Sequence, residues 1–259
     1  MMLNNVGVIV IANDGKIRNC DQLNDEFFSK FSKSHIFRAL TPLVLGCENL
    51  DNNHSHTESL TCNEFAASLS HQAARNFSVV FELDWVLFLE DDAMLADDFF
   101  VTLDNLTGSN EFAEKEVAIH LFPEQFGLLK TAYDKLFSII ILPDYAVGYL
   151  MNLKAIKFTV GYTHHAQNFL ADWPRYIKKI DWFAPYESMI RHPKLDYKYS
   201  DEISSIEKFR QVKHESYSFY DKLLSRELMR KIFLVFLKPF TKAYGNSSIK
   251  APLLRTRYF

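Results

Sequence analysis

The stretch Trp85–Asp92 limits the folds open to this chain more than any other feature of its sequence. It joins five apolar residues directly to three carboxylates, Glu90, Asp91 and Asp92. An unbroken apolar run of this length is typical of a strand buried on both faces of a parallel sheet. Ligands of open α/β sheets bind beyond the carboxyl ends of the strands. The stretch therefore predicts an α/β fold and a ligand site at the three acids.

Three neighbouring carboxylates need a compensating cation, because like charges at one strand end repel each other and raise the pKa values of the acids. Mn²⁺ and Mg²⁺ prefer oxygen ligands and keep positions open for phosphate. Side chains alternate along a strand, so Glu90 and Asp92 share one side if the strand continues through them. We therefore predict a divalent metal, Mn²⁺ with Mg²⁺ as the alternative, bound by Glu90 and Asp92.

Apolar and amphipathic segments alternate from residue 6 to about residue 186. The apolar runs predict strands at 6–11, 36–40, 85–89, 117–121, 136–142 and 181–186. The helical spacing predicts helices at 21–33, 65–80 and 93–106, and a further helix that follows Tyr149 and runs through Val160. This alternation predicts an α/β sandwich with a mainly parallel central sheet.

The helix predicted at 65–80 has the clearest start. Thr61 and Glu64 match a capping box, in which each side chain binds a free backbone N–H group of the first turn. Apolar residues then recur every four positions, which predicts a core-facing stripe of Phe65, Leu69, Ala73 and Phe77. His71 lies beside this stripe, near the middle of the helix.

Composition places the chain among globular proteins. Its 259 residues are 48% hydrophobic, which is enough for one large domain, and the net charge of −3 gives no support for nucleic-acid binding. The three cysteines are irregularly spaced and suit a reducing compartment, so we expect a cytoplasmic protein. The first residues do not resemble a secretory signal, and no apolar run approaches the roughly 20 residues that span a bilayer.

The C-terminal part, residues 201–259, differs in character from the rest. It contains a charged segment at 202–214 and a longer amphipathic segment at 217–243, and from Arg226 onward eight basic residues stand against the single acid Glu227. Such a helical, basic tail can lie on an anionic membrane surface, where each Lys or Arg contributes roughly 1 kcal/mol. The alternative is a helix that packs on the core and exposes its basic face. We expect a catalytic domain at 1–200 and this tail at 201–259.

Three short motifs follow one another in the chain. They are Leu-Thr-x-x-Glu at 60–64, Leu-Ser-His at 69–71 and Leu-Glu-Asp-Asp at 89–92. Their order and spacing resemble glycosyltransferase family 25, the lipooligosaccharide sugar transferases, over roughly residues 6–186. Tyr149 and Asp172 resemble downstream positions of that family. The chain departs from the pattern at 65–68, where a Gly-Cys pair is replaced, and in the first turn, where only Lys16 and Arg18 remain of an arginine-rich segment.

The resemblance implies a GT-A type fold and the transfer of galactose or glucose from a UDP-sugar, with inversion, to a lipooligosaccharide, lipopolysaccharide or related glycan. Asp172 is then the candidate catalytic base, with His120 and Glu187 as alternatives. The candidate substrate-binding residues are Asn13, Lys16, His71, Asp91 and Tyr149. Of these, Asn13 and Lys16 would lie near the uridine, and His71 would contact the donor or order the acidic loop.

Two other classes of protein share these features. A metal-dependent nucleotidyltransferase or phosphohydrolase also carries carboxylates at strand ends, although it usually needs further acids for a second metal. A non-catalytic carbohydrate-binding module could use the acids as a structural cation site and its tryptophans, Trp85, Trp173 and Trp182, to stack on sugars. Replacement of Asp92 separates the classes, because only an enzyme would lose turnover.

Overall fold

The computed structural model describes residues 2–46, 62–122, 128–130, 133, 136–139, 146–160 and 180–191. Three predictions lie outside these residues: the candidate base Asp172, the capping residue Thr61 and the basic tail at 201–259. Within the described part of the chain, no helix is long and apolar enough to span a bilayer.

The described residues form ten strands and four α-helices. The strands are β1 (Leu3–Ala12), β2 (Phe31–Arg38), β3 (Trp85–Glu90), β4 (Met94–Leu95), β5 (Val117–His120), β6 (Leu128–Lys130), β7 (Leu136–Ile139), β8 (Gly148–Asn152), β9 (Asp181–Pro185) and β10 (Ile190–Arg191). The helices are α1 (Asp25–Phe28), α2 (Cys62–Ser78), α3 (Phe99–Thr107) and α4 (Leu153–Val160).

Eight of these strands form one mixed sheet in the order β2-β1-β3-β8-β5-β9-β7-β6. The parallel pairings are β1 with β2, β1 with β3 and β5 with β9. β8 is antiparallel to both β3 and β5, and β7 is antiparallel to both β9 and β6. Six of the eight strands therefore run in one direction, which confirms the predicted α/β fold, although only three of the seven pairings are parallel.

Helices cover both faces of the sheet. Along β3, Leu87 and Leu89 pack into a cluster that contains residues of α1 and α3. Val86 and Phe88 point the other way, into a cluster that contains residues of α2 and α4. All four side chains are fully buried, and burial of each contributes about 1.5–3 kcal/mol. The unbroken apolar run of this strand is thus explained by two covered faces.

Two predicted helices are shorter than their sequence spacing indicates. α1 makes only one turn, which begins where the Asn24 side chain accepts a hydrogen bond from Phe27 N. Phe31 falls within the helix predicted at 21–33, but it is the first residue of β2, because pairing with β1 takes precedence over local helical spacing. The helix predicted at 93–106 starts only at Phe99, since Met94 and the next residue pair with β10.

Other elements agree with their predictions. β5 and β9 match the strands predicted at 117–121 and 181–186, and α4 ends at Val160 as expected. β7 covers the described part of the strand predicted at 136–142. Gly148 begins β8, where an added Cβ atom would collide with the side chains of Leu89 and Ile190. The ends of these two side chains would have to shift to admit a larger residue at this position.

Candidate functional site

The three acids lie at the edge of the sheet where β1, β3, β5 and β9 end. Glu90 is the last residue of β3, and its N–H donates to Val147 O at 2.9 Å. Asp91 and Asp92 form the turn that follows, where Asp91 N donates to Ile11 O at 3.1 Å. Parallel strands present their carboxyl ends together, so the loops after β1 and β3 meet at this edge.

Arg18, in the loop after β1, binds both aspartates. Its Nε donates to Asp91 Oδ2 at 3.0 Å, and its Nη2 donates to Asp91 Oδ1 at 2.6 Å. The same Nη2 lies 2.9 Å from Asp92 Oδ2. Two parallel bonds between a guanidinium and a carboxylate are among the strongest that side chains form. We call Arg18, Asp91 and Asp92 the outer cluster.

The negative charges around Arg18 stabilise its positive charge. Partial burial would lower the pKa of Arg18, but the hydrogen bond to Asp91 and the charges of Asp92, Asp91 and Glu90 outweigh it and raise the pKa above its ordinary value. The side chains of Asp91 and Asp92 are only 3% and 7% exposed, whereas that of Arg18 is 52% exposed. The arginine therefore forms the solvent-facing side of the cluster.

Backbone hydrogen bonds hold the first loop against the acidic turn. The N–H groups of Arg18 and Asn19 donate to the carbonyl oxygen of Asp91 at 3.1 and 2.9 Å. Further along, the Gln22 side chain accepts from Leu95 N at 2.8 Å and donates to Leu95 O at 3.1 Å. The position of the Arg18 guanidinium thus follows from the backbone as well as from its ion pairs.

A second polar group, which we call the inner cluster, lies on the face of the sheet that α2 covers. Glu90 Oε1 lies 3.6 Å from His71 Nε2, and His71 Nδ1 lies 3.2 Å from the Tyr149 hydroxyl. Arg75 Nη1 donates to the same hydroxyl at 2.9 Å. The ring of Phe88 stacks on that of Tyr149 at 4.9 Å. Glu90, His71, Tyr149 and Arg75 form a chain that runs from the sheet edge into the core.

Burial keeps His71 neutral. Desolvation lowers the pKa of His71, and the charge of Arg75 lowers it further. The hydrogen bond and the charge of Glu90 raise the pKa but do not outweigh these effects. An ionised Glu90 can only accept a hydrogen bond, and it faces His71 Nε2, so we assign the Nε2–H tautomer to His71. His71 Nδ1 is then the acceptor for the Tyr149 hydroxyl.

The buried face of α2 is polar, which differs from the predicted apolar stripe. Each of the four residues in that stripe, Phe65, Leu69, Ala73 and Phe77, is partly exposed. Between them α2 buries the polar residues Ser68, Ser70, His71, Gln72, Arg75 and Ser78. Ser70 Oγ accepts from Leu40 N at 2.8 Å, which joins this face to the segment after β2. A helix that buries so many polar groups needs partners for each of them.

Contrary to the prediction, Glu90 and Asp92 do not lie on the same side of a strand. The strand ends at Glu90, so the alternation stops there, and the turn brings Asp92 to Arg18 together with Asp91. Glu90 instead follows Phe88 onto the face of α2 and meets His71. Among the described residues, no group of three or more His, Cys, Asp or Glu side chains is arranged to hold a metal ion.

The other predicted site residues fall into two sets. Asn13 and Lys16 are exposed in the loop after β1, beside Asp14, whose carboxylate lies 3.6 Å from Arg38. His71 and Tyr149 are buried in the inner cluster. Of the alternative bases, His120 is fully buried at the end of β5, and Glu187 is exposed after β9.

Sequence reasoning missed the parts played by two arginines. Arg18 was noted only as a remainder of the first turn, although it is the partner of both aspartates. Nothing in the sequence analysis marks Arg75, although it is among the largest fully buried side chains of the described residues. A signal for Arg75 was present, because it follows His71 by four residues and thus lies on the same face of a helix. No local signal joins Arg18 to Asp91, which is 73 residues away in the chain.

Comparisons with known proteins give no family. No family model matches the chain. No curated protein matches it. Among solved structures, the crystal structure of A197 from STIV is similar with 10% sequence identity and a TM-score of 0.38, over 71% of this chain and 83% of that chain.

Proposed function

We propose that this protein is a glycosyltransferase of the family 25 type, with a GT-A-like catalytic domain. It moves a hexose, galactose or glucose, from a UDP-sugar to a lipooligosaccharide, lipopolysaccharide or related glycan. The observation that carries the proposal is the run Glu90–Asp92 at the carboxyl end of β3, faced by the loop after β1. In an α/β sheet this edge is where a nucleotide binds, and the ordered motifs of the sequence lead to the same reaction.

The donor would lie over the loop after β1. Asn13 and Lys16 are exposed there, and Arg18 lies in the same loop. In sugar transfer the bond between the anomeric carbon and the diphosphate breaks, and the nucleotide leaves with additional negative charge. Cationic groups at the diphosphate stabilise that charge in the transition state. Lys16 and Arg18 are the residues of this loop that can supply such cationic groups.

A divalent metal fits the chemistry of the acids but not their present arrangement. Carboxylate oxygens are the ligands that Mn²⁺ and Mg²⁺ prefer. Asp92 with Glu90 or Asp91 would hold the ion, which would neutralise the diphosphate. In the structure, however, Arg18 binds both aspartates and Glu90 lies against His71. Metal binding would therefore require the outer cluster to rearrange.

The inner cluster would position Glu90. The sequence predicts that His71 and Tyr149 bind substrate, but their burial suits a supporting role better than direct contact. Arg75 fixes the Tyr149 hydroxyl, Tyr149 fixes His71, and His71 directs its N–H group to Glu90. Such a chain keeps a carboxylate in one orientation at the edge of a site.

Inversion requires a base that takes the proton of the acceptor hydroxyl as its oxygen attacks the anomeric carbon. Asp172 remains the proposed base, with Glu187 as the exposed alternative. The acceptor would be lipid-linked, and the basic tail at 201–259 would hold the enzyme at the inner face of the cytoplasmic membrane. Removal of the tail after about residue 225 should then reduce binding to anionic vesicles.

A thermal-shift experiment tests the donor site. Purified protein is mixed with UDP, GDP, CMP, UDP-galactose or UDP-glucose, each with and without Mn²⁺. Binding to the folded state raises the midpoint of unfolding by mass action. We expect a shift that is selective for uridine nucleotides and is lost in Asp92→Asn. Asp97→Ala is the matched control, because Asp97 is exposed and lies outside both clusters.

Release of UDP from the preferred sugar nucleotide, with lipooligosaccharide as the acceptor, then separates the classes of protein. A transferase releases UDP faster when the acceptor is present. Release of nucleoside monophosphate or of phosphate would favour the nucleotidyltransferase or phosphohydrolase. If no nucleotide shifts the midpoint, the transferase proposal fails and a carbohydrate-binding module becomes the better account.

A further inference from the structure

The chain that follows β3, which we call segment 91–96, is bonded on one side to β10. Met94 and Leu95 pair with this strand, and Ala96 N donates to Met189 O at 2.9 Å. The backbone groups of successive residues in an antiparallel strand point alternately toward the partner strand and away from it. Since Ala96 N points toward β10, the N–H and C=O groups of Leu95 point away from β10.

The side chain of Gln22 binds both of these Leu95 groups. Its Oε1 accepts from Leu95 N at 2.8 Å, and its Nε2 donates to Leu95 O at 3.1 Å. A neighbouring strand would make the same pair of bonds with its backbone, so the Gln22 amide takes the place of a strand on this side of β4. Asn19 Nδ2 donates to Gln22 Oε1 at 3.0 Å and to Ala93 O at 2.8 Å. These donors fix which end of the Gln22 amide is the oxygen.

Segment 91–96 is thus held between two other parts of the chain. On one side, residues 18–22 bind backbone groups of Asp91, Ala93 and Leu95. On the other side, residues 189–191 bind the end of the segment through β10. The three pieces form one layer across the edge of the sheet where the acids lie.

The far side of this layer is fixed to the sheet. Met189 N donates to Leu121 O at 3.0 Å, just beyond the end of β5. Met189 and Ile190 are buried, whereas Glu187 is exposed. The loop that carries Arg18 and the segment that carries Glu187 therefore lie on opposite sides of segment 91–96.

We propose that Gln22 is a positioning residue that couples these two sides of the site. It holds Leu95 against β10 and so keeps the loop after β1 and residues 187–191 in one arrangement. A change in either part then reaches the other through segment 91–96, because both parts bind this segment. The use of the coupling in catalysis rests on the proposed function, in which the donor lies over the loop after β1 and Glu187 is the exposed alternative base.

Hydrogen exchange measured by mass spectrometry tests the coupling without any nucleotide. The full chain is compared as wild type, Gln22→Ala and Asp21→Ala. In Gln22→Ala the Leu95 amide loses its acceptor and should exchange about tenfold faster or more, and the amides of Ala96 and Met189 should become at least about threefold faster. Asp21→Ala should match the wild type, because Asp21 is exposed in the same loop and its side chain is not one of those that bind segment 91–96.

A second variant covers the case in which Gln22→Ala does not fold. A carboxylate accepts hydrogen bonds and donates none, so Gln22→Glu keeps the acceptor for Leu95 N and loses the donor to Leu95 O. Its exchange at Ala96 and Met189 should lie between those of the wild type and Gln22→Ala. Exchange at these two amides that is equal in the Gln22 variants and in Asp21→Ala would overturn the proposal, even if the Leu95 amide alone became faster.

Addition of UDP then connects the coupling to the proposed site. In the wild type, UDP should slow exchange in residues 13–20 and also in residues 187–191, whereas in Gln22→Ala it should slow exchange only in residues 13–20. A role of Gln22 that is limited to stability would leave the effect of UDP on both regions unchanged, and this result would overturn the coupling. If UDP slows exchange in neither region of the wild type, the proposed donor site fails, whereas faster exchange at Met189 in the nucleotide-free variants would still support the coupling.

Discussion

The two polar clusters at the end of β3 are built from similar groups in different surroundings. Each combines an arginine with at least one acid, and Glu90 connects them. In the inner cluster, Arg75 is fully buried and His71 is 2% exposed. In the outer cluster, the side chain of Arg18 is 52% exposed. The same type of side chain thus experiences a low dielectric in one cluster and solvent in the other.

Because of this difference, the contacts of the inner cluster suit a structural role, whereas those of the outer cluster can be exchanged for a ligand. Polar contacts in a dry interior are strong and costly to break, because a group that loses its partner there cannot turn to water. Contacts beside solvent are screened and can be exchanged for a ligand. The inner cluster therefore suits the task of holding Glu90, whereas the ion pairs of the outer cluster cost less to break.

The largest effect is expected from Arg75→Ala. This substitution removes a fully buried side chain and the donor to the Tyr149 hydroxyl. It leaves a cavity, so we expect a loss of about 2–5 kcal/mol in the free energy of unfolding. Urea denaturation measures it, with the exposed Arg38→Ala as the control. A loss no larger than that of the control would mean that the inner cluster does not stabilise the fold.

Tyr149→Phe should have the next largest effect. The ring and its stacking on Phe88 are kept, but Arg75 and His71 both lose a partner in the core. An unsatisfied buried group costs about 1–3 kcal/mol. The matched variant is Tyr133→Phe, whose hydroxyl accepts from the exposed Lys115, and its effect should be below about 1 kcal/mol. Similar losses in both variants would remove the distinction between buried and exposed contacts.

The strand at the centre of this comparison could be predicted because its pattern is local. The apolar run and the acids of Trp85–Asp92 are adjacent in sequence, so one stretch indicates a buried strand and its polar end. The same holds for β1, β5 and β9, where apolar residues are contiguous. The boundary between α1 and β2 could not be predicted in this way, since the spacing of Phe27 and Phe31 fits a helix and only pairing with β1 decides otherwise.

The contacts of the site depend on distant parts of the chain. Arg18 and Asp91 are 73 residues apart, and Arg75 and Tyr149 are 74 residues apart. Such pairs follow from how strands and helices are placed, which periodicity does not encode. The point at which β3 ends is equally absent from the local pattern. Because the strand ends at Glu90, Asp92 contacts Arg18 and does not lie beside Glu90 on one side of the strand. The acids could thus be located from sequence, but not their partners.

The pH dependence of stability gives a third test of the inner cluster. Burial lowers the pKa of His71 in the folded protein, whereas the unfolded chain has the ordinary value of about 6.5. Below pH 6.5 the unfolded state therefore binds the proton first. The free energy of unfolding should fall as the pH decreases from about 6.5 toward the folded pKa, by at most about 1.4 kcal/mol per pH unit from this group.

Urea denaturation of wild type and His71→Asn between pH 5 and pH 8 measures this contribution. The variant lacks the titrating group, so its stability should fall less steeply below pH 6.5, and the two profiles should run parallel above it. Parallel profiles over the whole range would show that His71 is not held neutral in the folded state.

The smallest effect on stability is expected from Arg18→Ala in metal-free buffer. The bidentate contact to Asp91 is well formed, but the guanidinium is half exposed, so solvent reduces its contribution to about 1 kcal/mol or less. Screening shortens the range of charges to about 3 Å in 1 M salt, so the loss should shrink further there. The loss from Arg75→Ala should keep its size in the same salt, because that side chain has no contact with solvent. If salt reduced both losses equally, the two clusters would not differ in exposure to solvent. If it reduced only the loss from Arg18→Ala, the outer cluster would be the part of the site whose ion pairs a ligand can replace.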